Sequence, residues 1–162
     1  MGIAVTWHYN GNTPRSLNFA DLAMYAAKQS GRGRHAFFDG TMREGALQRV
    51  NIERELRDAI PRGEIITFFQ PQMNIDGIGI YGVEALARWN HPVRGILQPR
   101  DFIEVAEHSG LIEGLGESVM LGAMRQCAAW HKAGNPLKIS INVSQLQFAR
   151  SGFVEKVLDG LA

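Results

Sequence analysis

The chain has 162 residues, 45% hydrophobic and 20% charged, which is typical of one globular domain of ordinary size. Its formal net charge of +1, with no basic run interleaved with aromatic residues, argues against a surface that binds nucleic-acid polymers. A single cysteine excludes an internal disulfide, and the sequence contains neither a signal peptide nor the ~20 consecutive apolar residues of a membrane span. We therefore expect a cytoplasmic protein whose given residues make no membrane contact. A membrane anchor in sequence outside these residues is the alternative.

The first forty residues contain few predicted helices and strands. A strand is expected at 3–7, a helix that ends near Lys28, and a short strand at 35–39. So few elements cannot enclose a hydrophobic core of their own. The segment therefore either docks on the remaining chain or belongs to a domain whose beginning is absent.

A second unit is expected to begin near residue 46. Apolar residues at helical spacing up to Ile60 predict a helix that Pro61 and Gly63 end. Two β-rich runs follow, at 65–73 and 78–89. The turn between them is too short for a parallel crossover, so the two strands should be antiparallel neighbours.

A loop rich in proline and glycine comes next. Asp101 and Glu104 then have the spacing of a capping box, which predicts a short helix that ends near Gly110.

The last third of the chain alternates helix and strand. A long amphipathic helix whose apolar face includes Cys127 should stop at Gly134, followed by a strand at 137–144 and one or two short helices. On that face Cys127 is interpreted as a small buried hydrophobic residue. The alternation predicts parallel strand pairing, in a barrel or an open α/β sheet that the given residues do not complete.

The run at 82–89 carries the most distinctive chemistry. In a strand, Glu84, Leu86 and Arg88 lie on one face because side chains alternate. Glu84 and Arg88 are roughly 13 Å apart at that spacing, so we expect them not to pair with each other. Each must find water, another protein group or a ligand.

With these residues in place, the sequence resembles bacterial cyclic-di-GMP signalling proteins of the tandem GGDEF-EAL type. Residues 46–162 are similar to the N-terminal half of an EAL phosphodiesterase domain, and residues 1–40 to the C-terminal remnant of a GGDEF domain without its signature, with 41–50 as a linker and helix start. The EAL resemblance rests on Phe69-Gln70-Pro71, Glu84-Ala85-Leu86-Ala87-Arg88-Trp89, His91-Pro92, Phe102-Ile103, Ala106-Glu107, Gly110-Leu111-Ile112 and Asn142-Val143-Ser144. The GGDEF resemblance rests on Ala20-Asp21-Leu22-Ala23-Met24-Tyr25 and Gly31-Arg32-Gly33-Arg34.

The resemblance implies an α/β fold, an incomplete TIM-type (β/α) barrel whose first strand is antiparallel. It implies hydrolysis of cyclic-di-GMP to pGpG with one or two Mg²⁺ or Mn²⁺ ions. Glu84 would be the catalytic metal ligand and Asn142 a second ligand. The residues that would line the dinucleotide site are Gln70, Leu86, Arg88 and Pro99.

Lys28 and Arg32 match positions that contact nucleotide phosphates in GGDEF domains. The remnant lacks the metal-binding acids and the guanine site of that family, so we interpret both as vestigial, solvated charges.

Structural interpretations stay open for these residues. Glu84 could lie on the wet face of a strand, Arg88 could pair with another acid, and Asn142 could belong to a polar strand face. Gln70 could have a structural role because Pro71 should end strand pairing, and His91 is typical of a structural loop histidine.

Three functional hypotheses follow. The parent protein hydrolyses cyclic-di-GMP while this chain alone is inactive, because the remaining acids and lysine of the family lie beyond Ala162. Alternatively, a degenerate EAL module binds cyclic-di-GMP without cleaving it, or the chain pairs with a complete EAL protein. Homodimer formation by EAL domains stays open.

Overall fold

The computed structural model describes residues 2–3, 13–29, 33 and 35–161. The chain divides into two compact units, Met1–Asn51 and Ile52–Ala162. Within the described ranges, no helix combines the length and the apolar character needed to cross a membrane.

The first unit combines a helix with a two-stranded parallel sheet. Strands β1 (Gly2–Ile3) and β2 (Ala36–Phe37) pair in parallel, and helix α1 (Thr13–Gln29) lies between them in sequence. Ala23 and Ala27 lie one turn apart on α1 and are buried, and Phe19 stacks on Phe38 with ring centroids 4.1 Å apart. Beyond Ile3, the strand expected at 3–7 lies outside the described residues.

A polar residue marks the start of the next helix, α2 (Gly40–Ala59). Asp39 precedes it, and its Oδ1 accepts hydrogen bonds from Thr41 Oγ1 at 2.5 Å and from the Met42 amide at 3.1 Å. The Thr41 hydroxyl, followed by the Met42 amide, lowers the pKa of Asp39 below its usual value. The Asp39 carboxylate thus satisfies one amide of the first helical turn, which would otherwise lack a partner.

The second unit is built on a four-stranded sheet. Strands β3 (Ile65–Met73) and β4 (Ile80–His91) form an antiparallel hairpin, which confirms the predicted pairing. A short strand, β5 (Gly95–Leu97), pairs antiparallel with the last residues of β4, and β6 (Lys138–Ile141) pairs parallel to β4 near its start. The predicted parallel pairing is therefore also confirmed.

Helices flank this sheet in sequence. They are α3 (Ile103–Ser109), α4 (Ile112–Lys132), α5 (Gln145–Phe148) and α6 (Phe153–Leu161), and a 3₁₀ turn spans Pro99–Asp101. Gly110 ends α3 with a φ of 74°, as expected from its freedom in the left-handed region.

The core of the second unit surrounds Trp89, whose side chain is fully buried. Its ring meets Phe102 edge to face, with centroids 5.9 Å apart, and its Nε1–H donates to Glu64 Oε2 at 3.0 Å. The buried residues that complete this core are Ile52, Leu56, Ala59, Ile65, Ala106, Ile112, Leu115 and Val119. The apolar face predicted for α4 therefore packs inward, whereas Cys127 on its last turns is only half-buried.

Gly82 allows the two parallel strands to approach closely. It is buried and stands opposite Lys138 in the β4–β6 register. A Cβ at this position would lie 2.9 Å from the Lys138 carbonyl oxygen, closer than side-chain carbons approach a backbone oxygen. The absence of a side chain at Gly82 thus fixes how near β6 lies to β4.

Three details differ from the sequence expectations. Residues 95–97 form β5 rather than loop, because three residues are too few to produce a visible alternation. The prediction of a capping box formed by Asp101 and Glu104 is wrong. Asp101 Oδ2 instead accepts a hydrogen bond from the Gln98 amide at 2.9 Å, and Phe102 is the residue before α3. The strand expected at 137–144 is limited to β6, since Ser144 caps α5.

Candidate functional site

The register of the sheet aligns polar side chains across three strands. Glu84 on β4 stands opposite Gln70 on β3 and opposite Ser140 on β6. Directly paired residues place their side chains on the same face of a sheet. These three residues therefore form one row, and in the next row Phe68 stands opposite Leu86.

Glu84 and Asn142 are in direct contact. Asn142 is the first residue after β6, and its Nδ2 donates to Glu84 Oε1 at 2.6 Å. Glu84 is half-buried and Asn142 is exposed. The two residues are far apart in the chain, and the parallel β4–β6 pairing brings together the oxygen-bearing side chains that the sequence singled out.

A cavity of about 310 Å³ opens beside this pair. Leu86, Pro99 and Asn142 line it, so three of the residues singled out from the sequence share one concave surface. Its apolar walls come from α3, α4 and β4, and include Ile103, Leu115 and Ala85. A concave, mostly apolar pocket with a few polar groups is the usual form of a small-molecule site.

Among the polar residues that line the cavity, Glu107, Ser144 and Gln147 were assigned no role at the site from the sequence. Gln147 is held by a capping box in which Ser144 Oγ accepts from the Gln147 amide and Gln147 Oε1 accepts from the Ser144 amide, each at 3.2 Å. The Ser-x-x-Gln spacing at 144–147 is a recognisable cap signal and could have identified it. Glu107 lies in the Ala106-Glu107 pair that carried the family resemblance, but no local pattern assigned it a role.

Arg88 and Glu84 do not pair with each other, which agrees with the prediction from their spacing in the strand. Its Nη1 donates to the Ala87 carbonyl at 2.7 Å, and its guanidinium lies over the Phe68 ring, 5.4 Å from the centroid. Arg88 also stands two strand positions beyond Leu86 on the same face. The guanidinium is therefore held against the face of the sheet that carries Glu84.

Gln70 is exposed on β3, opposite Glu84. The expectation that Pro71 ends strand pairing is wrong, because the β3–β4 register continues through Pro71 to Met73. Among the described strands β3 pairs with β4 alone. A proline is tolerated on such an edge strand, where its missing N–H faces away from the partner.

His91 has a structural environment. It is buried at the end of β4, and its Nδ1 accepts from the Val93 and Arg94 amides, each at 3.1 Å. Nε2 lies 3.2 Å from Glu55 Oε2 and donates to it, since Nδ1 is occupied as an acceptor. The ring bonds no residue of the cavity lining in these contacts.

Lys28 and Arg32 were singled out from the sequence of the N-terminal segment. Lys28 is exposed in the last turn of α1, in the first unit. Arg32 lies outside the described residues. No group of three or more histidine, cysteine, aspartate or glutamate side chains placed to hold a metal ion occurs in the described part of the chain.

Comparison with known proteins identifies the family of this chain. The sequence profile named EAL domain matches residues 53–162. The bifunctional diguanylate cyclase/cyclic di-GMP phosphodiesterase MucR of Pseudomonas aeruginosa is 37% identical over an alignment of 163 positions that covers 99% of this chain and 24% of MucR. The cyclic di-GMP phosphodiesterase PdeR of Escherichia coli is 36% identical over 149 residues, which cover 92% of this chain and 22% of PdeR.

The structure also resembles a solved one. The MucR phosphodiesterase in complex with c-di-GMP superimposes with a TM-score of 0.66 at 38% identity, over 68% of this chain and 45% of that chain. The chain spans about a quarter of the length of MucR and PdeR. The EAL domain profile matches most of the chain, and the similar solved structure has the same mixed α/β fold. This chain therefore belongs to the EAL-domain family.

Proposed function

We propose that this chain supplies one wall of a site that hydrolyses one phosphodiester bond of cyclic-di-GMP to give pGpG. The observation that carries the proposal is the 2.6 Å contact between Asn142 Nδ2 and Glu84 Oε1 beside the cavity lined by Leu86 and Pro99. The names of MucR and PdeR, and the bound c-di-GMP of the MucR structure, support cyclic-di-GMP as the substrate.

Glu84 and Asn142 are the proposed holders of a divalent metal, on which EAL phosphodiesterases generally depend. Their donors fit it: a carboxylate and a neutral amide oxygen are hard ligands of the kind that Mg²⁺ and Mn²⁺ prefer. Asn142 uses its amide nitrogen to contact Glu84, so its amide oxygen and the second oxygen of Glu84 remain available as donors. When bound, one or two such ions would acidify a water molecule and neutralise phosphoryl charge.

The substrate-binding roles follow from side-chain chemistry. Arg88 would donate two parallel hydrogen bonds to a phosphate, which its planar guanidinium does better than an ammonium group. Gln70, opposite Glu84, would bond the dinucleotide from the neighbouring strand. Leu86 and Pro99 would give apolar contact to the bases or sugars from the cavity wall.

The complete domain is proposed to be a TIM-type barrel in which the β3–β4 hairpin supplies the antiparallel first strand. The chain corresponds to 45% of the matched MucR structure, and the described residues provide two clear oxygen donors at the site. Two donors hold Mg²⁺ poorly because the ion dehydrates reluctantly. We therefore expect no turnover by the 162 residues on their own.

Residues 1–40 are proposed to be the C-terminal remnant of a GGDEF domain, followed by a linker at 41–50 that is helical as part of α2, and an EAL half at 46–162. The alignment with the bifunctional MucR extends over 99% of this chain and supports that assignment. Lys28 and Arg32 then have no catalytic role. A cytoplasmic location and homodimer formation through the EAL domain complete the proposal.

The test is pGpG formation by the full-length protein that carries these residues, with Mg²⁺ or Mn²⁺ present. Glu84→Gln should lower it by about a hundredfold or more and Arg88→Ala should weaken it. Glu155→Gln, at an exposed acid on α6, should leave it unchanged. Full activity in Glu84→Gln would refute the assignment. Tight binding of cyclic-di-GMP without turnover by the unaltered protein would instead identify a receptor.

A further inference from the structure

The turn between β4 and β5 is held by one imidazole. His91 is buried at 8% exposure, and its Nδ1 accepts both the Val93 and the Arg94 amides. Val93, by contrast, is 86% exposed and contributes only its backbone to the turn. The turn is therefore shaped by the histidine ring rather than by packing of its own side chains.

The same ring ties the turn to helix α2. Its Nε2 donates to Glu55 Oε2 at 3.2 Å, and Arg94 donates to the same carboxylate oxygen. The Arg94 guanidinium also lies over the Trp89 ring, 5.6 Å from its centroid. The Glu55 carboxylate thus anchors both His91 and Arg94. Leu56, the next residue on α2, belongs to the hydrophobic core.

The turn leads directly to the cavity. In the β4–β5 register His91 stands opposite Gly95 and Trp89 opposite Leu97, so the turn sets where β5 lies. Pro99 follows two residues after β5 and lines the cavity together with Leu86 and Asn142. A shift of the turn would be passed through the β4–β5 pairing to Pro99.

We propose that His91 and Glu55 are positioning residues for the substrate site, acting through the β4–β5 turn on Pro99. The inference rests on the proposed function, in which Pro99 contacts the bound dinucleotide. A residue that only stabilises the fold would lower the amount of active protein. A positioning residue changes how the folded protein binds its substrate.

The experiment measures KM and kcat for cyclic-di-GMP hydrolysis by the full-length protein. His91→Ala removes all three hydrogen bonds of the ring, whereas His91→Asn keeps an oxygen close to the position of Nδ1. We expect KM to rise on the order of tenfold in His91→Ala, with kcat per folded molecule nearly unchanged, as for a lost binding geometry. His91→Asn should recover most of the loss.

Glu55→Ala should raise KM less than His91→Ala does. Its matched control is Glu53→Ala, which pairs only with Arg57 in the contacts described on the same helix. The control within the turn is Val93→Ala, which should leave both constants unchanged.

An unchanged KM in His91→Ala, or equal losses in His91→Ala and His91→Asn, would overturn the positioning role. Should His91→Ala fail to fold, His91→Asn and Glu55→Ala decide the question through the same constants. An unaltered protein that neither binds nor hydrolyses cyclic-di-GMP contradicts the proposed function itself, which separates the two failures.

Discussion

The substitution Gly82→Ala tests how the sheet positions the candidate site. The new Cβ would lie 2.9 Å from the Lys138 carbonyl oxygen and 3.4 Å from Lys138 Cβ. Ordinary carbon–oxygen contacts are about 3.3–3.6 Å, so β6 must move away from β4 by roughly half an ångström. The contact is with backbone, which cannot rotate away as a side chain could.

The expected cost is that of an overpacked interior, about 2 kcal/mol. Because urea reduces the free energy of unfolding by about 1–3 kcal/mol per molar, the unfolding midpoint should fall by about 1 M. The assay is urea unfolding followed by Trp fluorescence, since Trp89 is fully buried in the same unit. Displacement of β6 also moves Asn142 away from Glu84, so cyclic-di-GMP turnover by the full-length protein should fall as well.

The matched control is Gly45→Ala in α2, where a Cβ would meet nothing within 4 Å. Alanine in a helix interior is favoured over glycine by about 0.5–1 kcal/mol, so this variant should be slightly more stable. A Gly82→Ala protein as stable and as active as the unaltered one would refute the close approach of β6 to β4.

Three further predictions concern stability and pH. Leu56→Ala, at a fully buried position, should cost about 2–5 kcal/mol of unfolding free energy, whereas exposed Leu47→Ala on the same helix should cost little; equal midpoints in urea would contradict this. Ser144→Ala should cost about 1 kcal/mol by removing the cap of α5, measured by thermal unfolding. The lowered pKa of Asp39 means that its contribution to stability is present above the unfolded pKa and is lost as pH falls through the folded pKa; an NMR titration of Thr41→Ala should show the Asp39 pKa rising toward its ordinary value.

Local patterns predicted the elements whose signals lie within a few residues. The β3–β4 hairpin follows from its short turn, and α4 from its apolar spacing and the glycine after it. The juxtaposition of Glu84 and Asn142 was expected only through the family resemblance. Nothing in the sequence around either residue specifies a contact across 58 residues of sequence.

Long-range side-chain contacts account for most of what was missed. Asp101 has a helix-capping spacing, but its carboxylate turns back to the Gln98 amide and organises the 3₁₀ turn instead. His91 bonds Glu55 across 36 residues, and this contact exists only once α2 packs beside β4. Strand β5 is fixed by its pairing with β4 rather than by its own three residues.

The most direct test of the central claim is the rate of pGpG formation by the full-length protein as a function of Mn²⁺ concentration. The account assigns Glu84 to the metal, so Glu84→Gln should lower the rate by about a hundredfold or more and require higher Mn²⁺ for what remains. The Glu155→Gln protein should follow the unaltered curve. Identical Mn²⁺ dependence and rate in Glu84→Gln and in the unaltered protein would contradict the account.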